Sequence, residues 1–587
     1  MQNHVFSKPV LCQQSSLMLF FLFLSSLLLP VTKLRAQKQK KYNVLFIFVD
    51  DMNDRCELFG NKEIPTPNLS RLRKRGVNFK NAYCQFPLCN PSRTSLLSGL
   101  RPDETHVFGN AVSPASVIQP GTVYMPEYFK SFGYHTERYG KIMHDAYEDQ
   151  VTWDYAQSHG SPSEKAALNL ATTAKNQEAL GAWWVTRRVE PDIDVNDFVE
   201  RVDNRSQQSP FFYAVGLSTH RPFAPALKYW NKIGSSETLD SLPVGLKDLR
   251  PRIAGNNSND IELPSTPPND RSDVPRVAFP NQAVKEPYEW KEAIHAYDGE
   301  VAQMDAQLGL ILDELDKKNL WHNTIVVFTS DHGQHLGEHE GLWFKNTLFK
   351  ESLGVPFIIC APGKLRGDCD RLIELVDVYP TLADLCGLPI PSNLEGTSFA
   401  PLLGNLDLPW KQAAFSQVKR GKLMGRNVRT ERYSYNTWGS HGEELYDYDT
   451  DPHEYTNLAT DSSYSTVLKR MRRLLKRGWQ NAVPASTNAD LKSNLISLNN
   501  VEQSVLKAYP NPGYHIVTLS YQSNNEEKIS IVITNASGQI VFSKKGEATK
   551  DLNTYQLNVA NLAKGNYYIS LKNNLNQSNT ILLMLNN

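Results

Sequence analysis

Two uninterrupted apolar segments of strand length constrain the fold of this chain more than any other feature. They are NVLFIFVDD at residues 43–51 and TIVVFTSDHG at residues 324–333, and both are rich in β-branched and aromatic side chains. Strands that are apolar on both faces are typical of a mostly parallel sheet with helices on both sides. Apolar residues also recur at helical spacing, as in residues 301–319. The alternation from about residue 41 to 404 therefore predicts an α/β sandwich.

At 587 residues the chain is long enough for more than one domain. Residues 405–480 change to short antiparallel strands and a basic helix near residues 464–478, which predicts a smaller α+β subdomain. Residues 481–500 are polar and are expected to form a linker. Short alternating strands separated by Asn and Gly turns then predict a small all-β sandwich over residues 501–587.

Residues 1–36 have the pattern of a secretory signal peptide. An apolar stretch at residues 17–31 follows Lys8 and leads through a short polar segment to a small residue, Ala36. Because this stretch is short for a membrane span, we expect export and cleavage near Ala36, with no integral span in the mature protein. Few cysteines lie beyond it for a secreted chain, and a disulfide between Cys360 and Cys369 stays an open alternative.

Charge composition gives no indication of a nucleic-acid partner. The 62 Lys and Arg residues are balanced by 62 Asp and Glu residues, so a charged substrate must be bound by a local cluster. The basic run RLRKRG at residues 71–76 is expected to be a solvated helix face.

Both strong strands end in polar residues that are suited to binding a metal. Asp50 and Asp51 end the first, and Asp331 and His332 follow the second. The carboxyl ends of strands line the ligand crevice of an open parallel sheet, and carboxylate oxygens suit calcium or magnesium. Each acid alone is more simply a turn cap or a loop residue, but together they favour a divalent cation.

The segment CQFPLCNPSRTSLLSG at residues 84–99 predicts a helix with Cys89 at its mouth. Asn90 is the expected N-cap, Pro91 the first helical residue and Gly99 the exit. A helix N-terminus presents unpaired N–H donors and the positive end of the helix dipole. An anion would bind there, and a nucleophile at Cys89 would meet it. Cys84 is expected to be a buried structural cysteine.

The same segment resembles the sulfatase signature Cys-x-Pro-Ser-Arg followed by Leu-x-Ser/Thr-Gly. Similar segments follow the family's order along the chain: VDD at 49–51, GKIMH at 140–144, STHRPF at 218–223, SDHGQHLGEHEGLWFK at 330–345, LVDVYPTLADLCGLP at 375–389 and LYDYDTDPHEYTNLA at 445–459. They cover roughly residues 41–480 and are most similar to the iduronate-2-sulfatase-like branch. The resemblance implies an alkaline-phosphatase-like sandwich and the hydrolysis of sulfate esters.

The resemblance further implies that a formylglycine-generating maturation enzyme oxidises Cys89 to formylglycine (3-oxoalanine). It places one divalent cation, calcium, on Asp50, Asp51, Asp331 and His332, with the modified Cys89 completing the shell. Many sulfatases have Asn at the position of His332, and imidazole nitrogen is a poorer calcium ligand than oxygen. Magnesium therefore stays an alternative.

The resemblance also implies which side chains surround the sulfate. Arg93 and Lys141 stabilise the formylglycine hydrate and the sulfate charge, and His144 hydrogen-bonds the hydrate or assists its collapse. His220 and Lys345 contact the sulfate, and His220 is expected to protonate the leaving alcohol. One hydroxyl of the hydrate attacks sulfur, and the second then expels sulfate and regenerates the aldehyde. This set suits an anionic ester, which needs cations and N–H donors around its oxygens.

Two histidines lie just beyond the metal motif. His335 and His339 are expected beside the metal site or on the substrate side rather than as ligands.

The C-terminal segment resembles the sorting domain of the type IX secretion system of Bacteroidetes. The resemblance rests on YPNP at residues 509–512 and on a strand ending in GNYYISL, and it implies export to the surface or the medium. The competing interpretation is a carbohydrate-binding sandwich, which needs aromatic side chains exposed on one face. The candidates for such a face are Tyr514, Tyr521, Tyr567 and Tyr568.

Export combined with a sulfatase signature implies a sulfated polysaccharide or its oligosaccharides as substrate, with the uronate-containing algal polymer ulvan as the first expectation. Fucoidan, carrageenan and glycosaminoglycans are alternatives. A phosphoester or phosphonate hydrolase on the same scaffold is a further alternative, but two-zinc members need additional Asp and His ligands that are not placed here. A glycan-binding protein with unmodified Cys89 is the non-enzymatic alternative.

Overall fold

The computed structural model describes most of the chain. The described residues are 41–54, 56, 64, 66–157, 193–204, 209–218, 263–280, 287–483, 506–509, 515–523, 526–535, 539–573 and 578–585. The expected signal peptide, most of the expected linker, His220 and Tyr514 lie outside them.

The main sheet has eight strands in the order β10-β2-β9-β6-β1-β5-β3-β4, and β9 alone runs antiparallel to its neighbours. Its strands are β1 (Asn43–Asp50), β2 (Val77–Tyr83), β3 (His135–Tyr139), β4 (Tyr155–Ala156), β5 (Phe211–Ser218), β6 (Thr324–Ser330), β9 (Phe357–Cys360) and β10 (Gly367–Glu374). A short hairpin between β6 and β9 is formed by β7 (His335–Leu336) and β8 (Trp343–Phe344). The mostly parallel sheet is confirmed.

Helices cover both faces of this sheet. The longer ones are α1 (Pro67–Arg73), α2 (Cys89–Ser98), α3 (Met125–Ser131), α4 (Ile193–Asp203), α5 (Pro287–Lys317), α6 (Val378–Leu385) and α7 (Ser465–Arg477). Four-residue helices span Pro102–Thr105, Pro114–Val117, Glu338–Gly341 and Lys350–Leu353. In the described part of the chain, no helix is both long enough and apolar enough for a membrane span.

Strand β1 shows how the main sheet separates two hydrophobic cores, one on each of its faces. All of its residues are buried, and successive side chains enter different cores. Phe46 and Phe48 pack with α2, α3 and α6, whereas Leu45 and Ile47 pack with α1, α4 and α5. An apolar run without alternation is required because both faces of the strand are covered. The predicted α/β sandwich follows from this pattern.

A second, antiparallel sheet packs against the main body. It is formed by β11 (Ala414–Arg420), β12 (Leu423–Arg429), β13 (Tyr433–Thr437) and β14 (Glu443–Asp447). One of its faces contributes Val418, Trp438 and Tyr446 to the core beneath α2 and α6. The opposite face is covered by α7, which is the predicted basic helix.

The C-terminal strands form two antiparallel sheets, β15-β16-β19 and β18-β17-β20-β21. Their bounds are β15 (Leu506–Tyr509), β16 (Ile516–Ser523), β17 (Glu527–Asn535), β18 (Ile540–Ala548), β19 (Asp551–Asn558), β20 (Gly565–Asn573) and β21 (Ser578–Leu585). Tyr521 and Tyr567 are buried in the core between them. Tyr568 packs against Phe132, with ring centroids 5.6 Å apart, and its hydroxyl lies 2.9 Å from Ser131 Oγ. These three tyrosines therefore do not form an exposed sugar-binding face.

The start of α2 differs from the sequence prediction. The helix begins at Cys89, after an extended Leu88, and its first i→i−4 hydrogen bond runs from Ser92 N–H to Leu88 O (3.0 Å). Asn90 is not the cap, because its side-chain amide donates to two loop carbonyls, Gly109 O and Val112 O. Pro91 fits inside the first turn because N–H groups there have no helical acceptor. The predicted exit is confirmed, since Gly99 has φ 69°.

Two further expectations are settled by the fold. The six cysteines of the described residues are free, so Cys360 and Cys369 do not pair. The basic run at residues 71–76 is ion-paired rather than simply solvated, because Arg71, Arg73 and Arg75 each contact an aspartate.

Candidate active site

The carboxyl ends of β1 and β6 bring the four polar strand-end residues together. The two strands are parallel neighbours with Val49 opposite Ser330, so the residues that follow them are adjacent. Asp51 has a positive φ of 63°, and its backbone N–H donates to Asp331 Oδ1 (3.0 Å). This turn reverses the alternation of a strand, and it lets Asp50 and Asp51 take different partners.

Helix α2 delivers Cys89 and Arg93 to the same place, because residues four apart share one helix face. The guanidinium of Arg93 is fully buried and bridges Asp331 Oδ2 and Asp50 Oδ1, both at 2.8 Å. Its remaining amino group donates to Lys141 O and Ile142 O (2.9 and 3.0 Å). Burial alone would lower the pKa of Arg93, but the two aspartates raise it above its ordinary value.

Lys141 is positioned by a close approach to the sheet. Its Nζ lies 2.8 Å from Asp50 Oδ2. The backbone of Lys141 crosses directly over Gly216 of β5, where an added Cβ would lie 2.2 Å from Lys141 O. Only glycine fits at this crossing, so Gly216 fixes how closely Lys141 approaches the acids.

Lys345 reaches the cluster from the β7–β8 hairpin. Its Nζ lies 3.0 Å from Cys89 Sγ and also contacts Asp51 Oδ1. Its neighbours Phe344 and Asn346 have positive φ values of 80° and 74°. Burial opposes the charge on Lys345, but Asp51 outweighs burial and raises the pKa of the ammonium group.

Four buried side chains could hold a metal ion. One ligand atom from each of Asp51, Cys89, Asp331 and His332 lies within 4.8 Å of the others. Asp50 is not in this group of four, and its two oxygens instead accept from Arg93 and Lys141.

The orientation of His332 tests whether a cation fits. Its Nδ1 lies 2.9 Å from Gly333 O, so this nitrogen must carry a proton and donate. Its Nε2 then faces Asp51 Oδ1 (3.2 Å) and Asp331 Oδ2 (3.7 Å). A neutral imidazole would direct a lone pair at two carboxylates, which is unfavourable unless a proton or a metal lies between them. The donor set therefore fits a divalent cation.

The same environment perturbs the groups that titrate in the site. Burial alone would lower the pKa of His332, but Asp331 raises it. Burial raises the pKa of Asp331, although Arg93 opposes the shift. Burial alone would raise the pKa of the Cys89 thiol, yet Lys345, Lys141 and a hydrogen bond with His144 lower it well below its ordinary value.

The structure thus brings the predicted residues together, with His220 outside the described residues. His144 is half-buried and contacts Cys89. His335 and His339 lie outside the group of four: His335 Nε2 is 2.8 Å from Thr347 Oγ1, and His339 Nδ1 is 2.9 Å from Asp270 Oδ2.

Sequence reasoning missed several supporting residues. Ser92 donates to Asp331 O (2.5 Å), and Ser330 Oγ accepts from Met52 N–H (2.9 Å). Ser92 could have been identified because it is the serine of the Cys-x-Pro-Ser-Arg signature, whereas Asp270 lies in no recognisable motif. The ion pair of Asp270 with His339 is visible only in three dimensions.

Three family models match the chain. The model described as Sulfatase matches residues 42–388, and that of the N-sulphoglucosamine sulphohydrolase C-terminal region matches residues 337–481. The model of the secretion system C-terminal sorting domain matches residues 507–584.

Known proteins are similar over most of their length. A sulfatase of Formosa agariphila is 29% identical over 491 residues, covering 78% of this chain and 92% of that protein. Iduronate 2-sulfatase of Mus musculus is 29% identical over 533 residues, covering 73% of this chain and 93% of that protein. The solved structure of a 2-O GAG sulfatase has a TM-score of 0.55 and 25% identity, and covers 74% of this chain and 91% of that one.

The first family model spans more than half of the sequence, and the mostly parallel sheet matches its fold. The chain therefore belongs to the sulfatase family of sulfuric ester hydrolases, and its type IX sorting domain directs it to secretion or the cell surface.

Proposed function

We propose that this protein is an exported sulfatase that hydrolyses sulfate esters of a sulfated polysaccharide or of its oligosaccharides. The observation that carries the proposal is the buried cluster in which Arg93, Lys141 and Lys345 surround the strand-end acids beside Cys89. Three cations in one place suit an anionic ester and the charge that develops on its oxygens.

Cys89 is the residue we propose as the source of the nucleophile, after a maturation enzyme has oxidised it to formylglycine. The hydrated aldehyde carries two hydroxyl groups on one carbon. One oxygen forms a bond to sulfur while the bond from sulfur to the sugar oxygen breaks. The second hydroxyl then loses its proton and forms a C=O bond, while the bond from the same carbon to the sulfated oxygen breaks, so sulfate leaves and the aldehyde returns.

The cation we propose for the group of four is calcium, with magnesium as the alternative. Asp51, Asp331, His332 and residue 89 would hold it, and Asp50 would complete the shell while it anchors Arg93 and Lys141. When bound, the ion neutralises negative charge on the sulfate and on the nucleophilic oxygen.

We propose that two further histidines, His144 and His220, carry out the proton transfers. His144 contacts residue 89, and we propose that it hydrogen-bonds the hydrate and takes up its proton during collapse. We propose that His220 is the acid that protonates the leaving sugar oxygen. We also propose that His220 and Lys345 both contact the sulfate. Arg93 is fixed by two acids and two carbonyls, so its main work is to hold Asp50 and Asp331 in place.

A uronate-containing polymer is the proposed substrate class, with ulvan first and fucoidan, carrageenan or a glycosaminoglycan as alternatives. The support is the similarity to iduronate 2-sulfatase and to a 2-O GAG sulfatase, together with the sorting domain. We further propose that residues 1–36 are removed on export and that residues 481–500 link the enzyme to its sorting domain, residues 501–587.

The first test is sulfate release measured by ion chromatography. The enzyme is co-expressed with a maturation enzyme and offered intact and lyase-cut ulvan, fucoidan, carrageenan and heparan sulfate, with Cys89→Ala as the control. We expect release from one polymer class that is lost in the variant. Peptide mass spectrometry must show conversion of Cys89; no release from any sulfate ester by converted enzyme would overturn the proposal.

A further inference from the structure

Helix α7 carries a charged surface that the proposed hydrolysis does not use. Its 13 residues, STVLKRMRRLLKR, include six cationic side chains and no acidic one. All six are exposed: Lys469, Arg470, Arg472, Arg473, Lys476 and Arg477. Because the whole chain has 62 basic and 62 acidic residues, this helix is a strong local concentration of positive charge.

Packing fixes which way the cations point. Leu468, Met471 and Leu474 are buried against Val428 and Tyr435 of the antiparallel sheet. At about 3.6 residues per turn, the six cations cover the opposite side of the helix. The apolar side is already buried in the fold, so α7 cannot insert it into a lipid surface.

Most of these cations have no acidic partner within the described part of the chain. Arg472 is paired with Glu443, with Nε 3.0 Å from Oε2. Across the residues that the structure describes, no ion pair engages the other five. The basic run at residues 71–76 differs, since its arginines are neutralised by Asp313, Asp316 and Asp368. Among the described residues, the fold therefore neutralises the arginines of one basic cluster and leaves five of the six cations of the other unpaired.

We infer that the cationic face of α7 is a docking site for the sulfated polysaccharide itself, separate from the active site. This inference rests on the proposed function, because the polyanion that fits the helix is the substrate class proposed above. Five like charges on one helix repel one another, and a linear polyanion relieves that repulsion and releases its condensed counterions. The helix covers the sheet face that points away from the main core, so it binds a different stretch of the polymer from the one being hydrolysed.

The experiment compares two triple variants of the full-length enzyme. Lys469→Gln, Arg473→Gln and Lys476→Gln remove the outermost charges of α7. The control variant carries Lys74→Gln, Lys364→Gln and Arg366→Gln. It also loses two lysines and one arginine, but from exposed positions outside α7. Binding to dextran sulfate, ulvan, unsulfated dextran and phosphatidylglycerol vesicles is measured at several salt concentrations, and urea unfolding confirms that both variants are folded.

We expect the α7 variant to bind dextran sulfate and ulvan at least tenfold more weakly, with a salt slope smaller by about two to three. The control variant should bind like the wild type, and unsulfated dextran should not bind. Equal losses in both variants, or no loss in the α7 variant, would overturn the inference. A loss confined to phosphatidylglycerol vesicles would replace it with a lipid surface.

Activity of the wild-type enzyme separates this inference from the proposed function. If the wild type releases sulfate from a small aryl sulfate but the α7 variant binds polymer normally, the docking site alone is refuted. If the wild type binds polymer through α7 but converted enzyme releases no sulfate from any ester, the hydrolysis is refuted and the docking site stands.

Discussion

Replacement of Arg93 by methionine is the sharpest test of how the active site is held together. Methionine keeps most of the length of the side chain but removes its charge and five donors. The change leaves Asp50 and Asp331 buried without their shared partner, and it also frees two backbone carbonyls. Removal of one member of a buried pair costs about 3–5 kcal/mol because the remaining charge stays uncompensated.

Arg71→Met is the matched control. Arg71 also bridges two aspartates, Asp313 and Asp316, at comparable distances, but on the surface of the protein. Surface pairs contribute about 0–1 kcal/mol because water and salt screen them. The two variants therefore remove the same group from equivalent ion pairs and differ mainly in burial.

Urea unfolding followed by tryptophan fluorescence measures the difference, in the presence of EDTA so that no cation replaces the missing guanidinium. With a slope of about 3 kcal/mol per molar urea, Arg93→Met should lower the midpoint by about 1–2 M and Arg71→Met by less than about 0.3 M. Arg93→Lys should fall between wild type and Arg93→Met, because a point charge cannot bridge both acids. Equal shifts for the two methionine variants would refute the reasoning.

Three further predictions follow from single features. Cys89→Ser has one hydroxyl but lacks the second one that expels sulfate, so intact mass spectrometry should show a covalent adduct with the mass of one SO3 group. Multiple turnover by this variant would contradict the two-hydroxyl route. Gly216→Ala should displace Lys141 and lower kcat/KM for a small aryl sulfate by about 100-fold, because a 1 Å misplacement has about this effect, and an unchanged value would exclude the close contact as a positioning device. Burial alone would lower the pKa of His339, but Asp270 raises it to about 10. The stability advantage of wild type over His339→Gln should therefore be full below about pH 6.5 and lost as the pH rises through 10. Urea unfolding midpoints measured across this range would contradict the ion pair if the advantage grew with pH.

The layers of the fold were predictable because they depend on local pattern. A strand without alternation, such as β1, must be covered on both faces, and a parallel neighbour such as β6 must end at the same edge. These two properties of the strands are enough to predict that Asp50, Asp51 and Asp331 lie close together. The signature then adds α2, because residues four apart on a helix share a face.

The distribution of partners within the site was not predictable in the same way. Adjacent residues of a strand point to opposite faces, yet Asp50 and Asp51 both enter the site because Asp51 has a positive φ. No sequence pattern specifies that conformation at an aspartate. Its consequence is that Asp50 accepts from Arg93 and Lys141, whereas Asp51 joins the group of four. Long-range pairs such as Asp270 with His339 were missed because no periodicity links them.

Charge balance in the cluster gives a physical reason why the proposed oxidation of Cys89 would serve hydrolysis better than its thiol. Arg93, Lys141 and Lys345 supply three positive charges, and three aspartates oppose them. The environment lowers the pKa of the thiol well below its ordinary value, so unmodified Cys89 would add a fourth negative charge at the proposed sulfate site. An aldehyde or its hydrate is neutral. With a divalent cation held by the group of four, the oxidised site is therefore net positive and attracts a sulfate ester, whereas the thiolate would cancel part of that attraction. The proposed oxidation, followed by hydration of the aldehyde, would supply the second hydroxyl, and it would also remove the charge that repels the substrate.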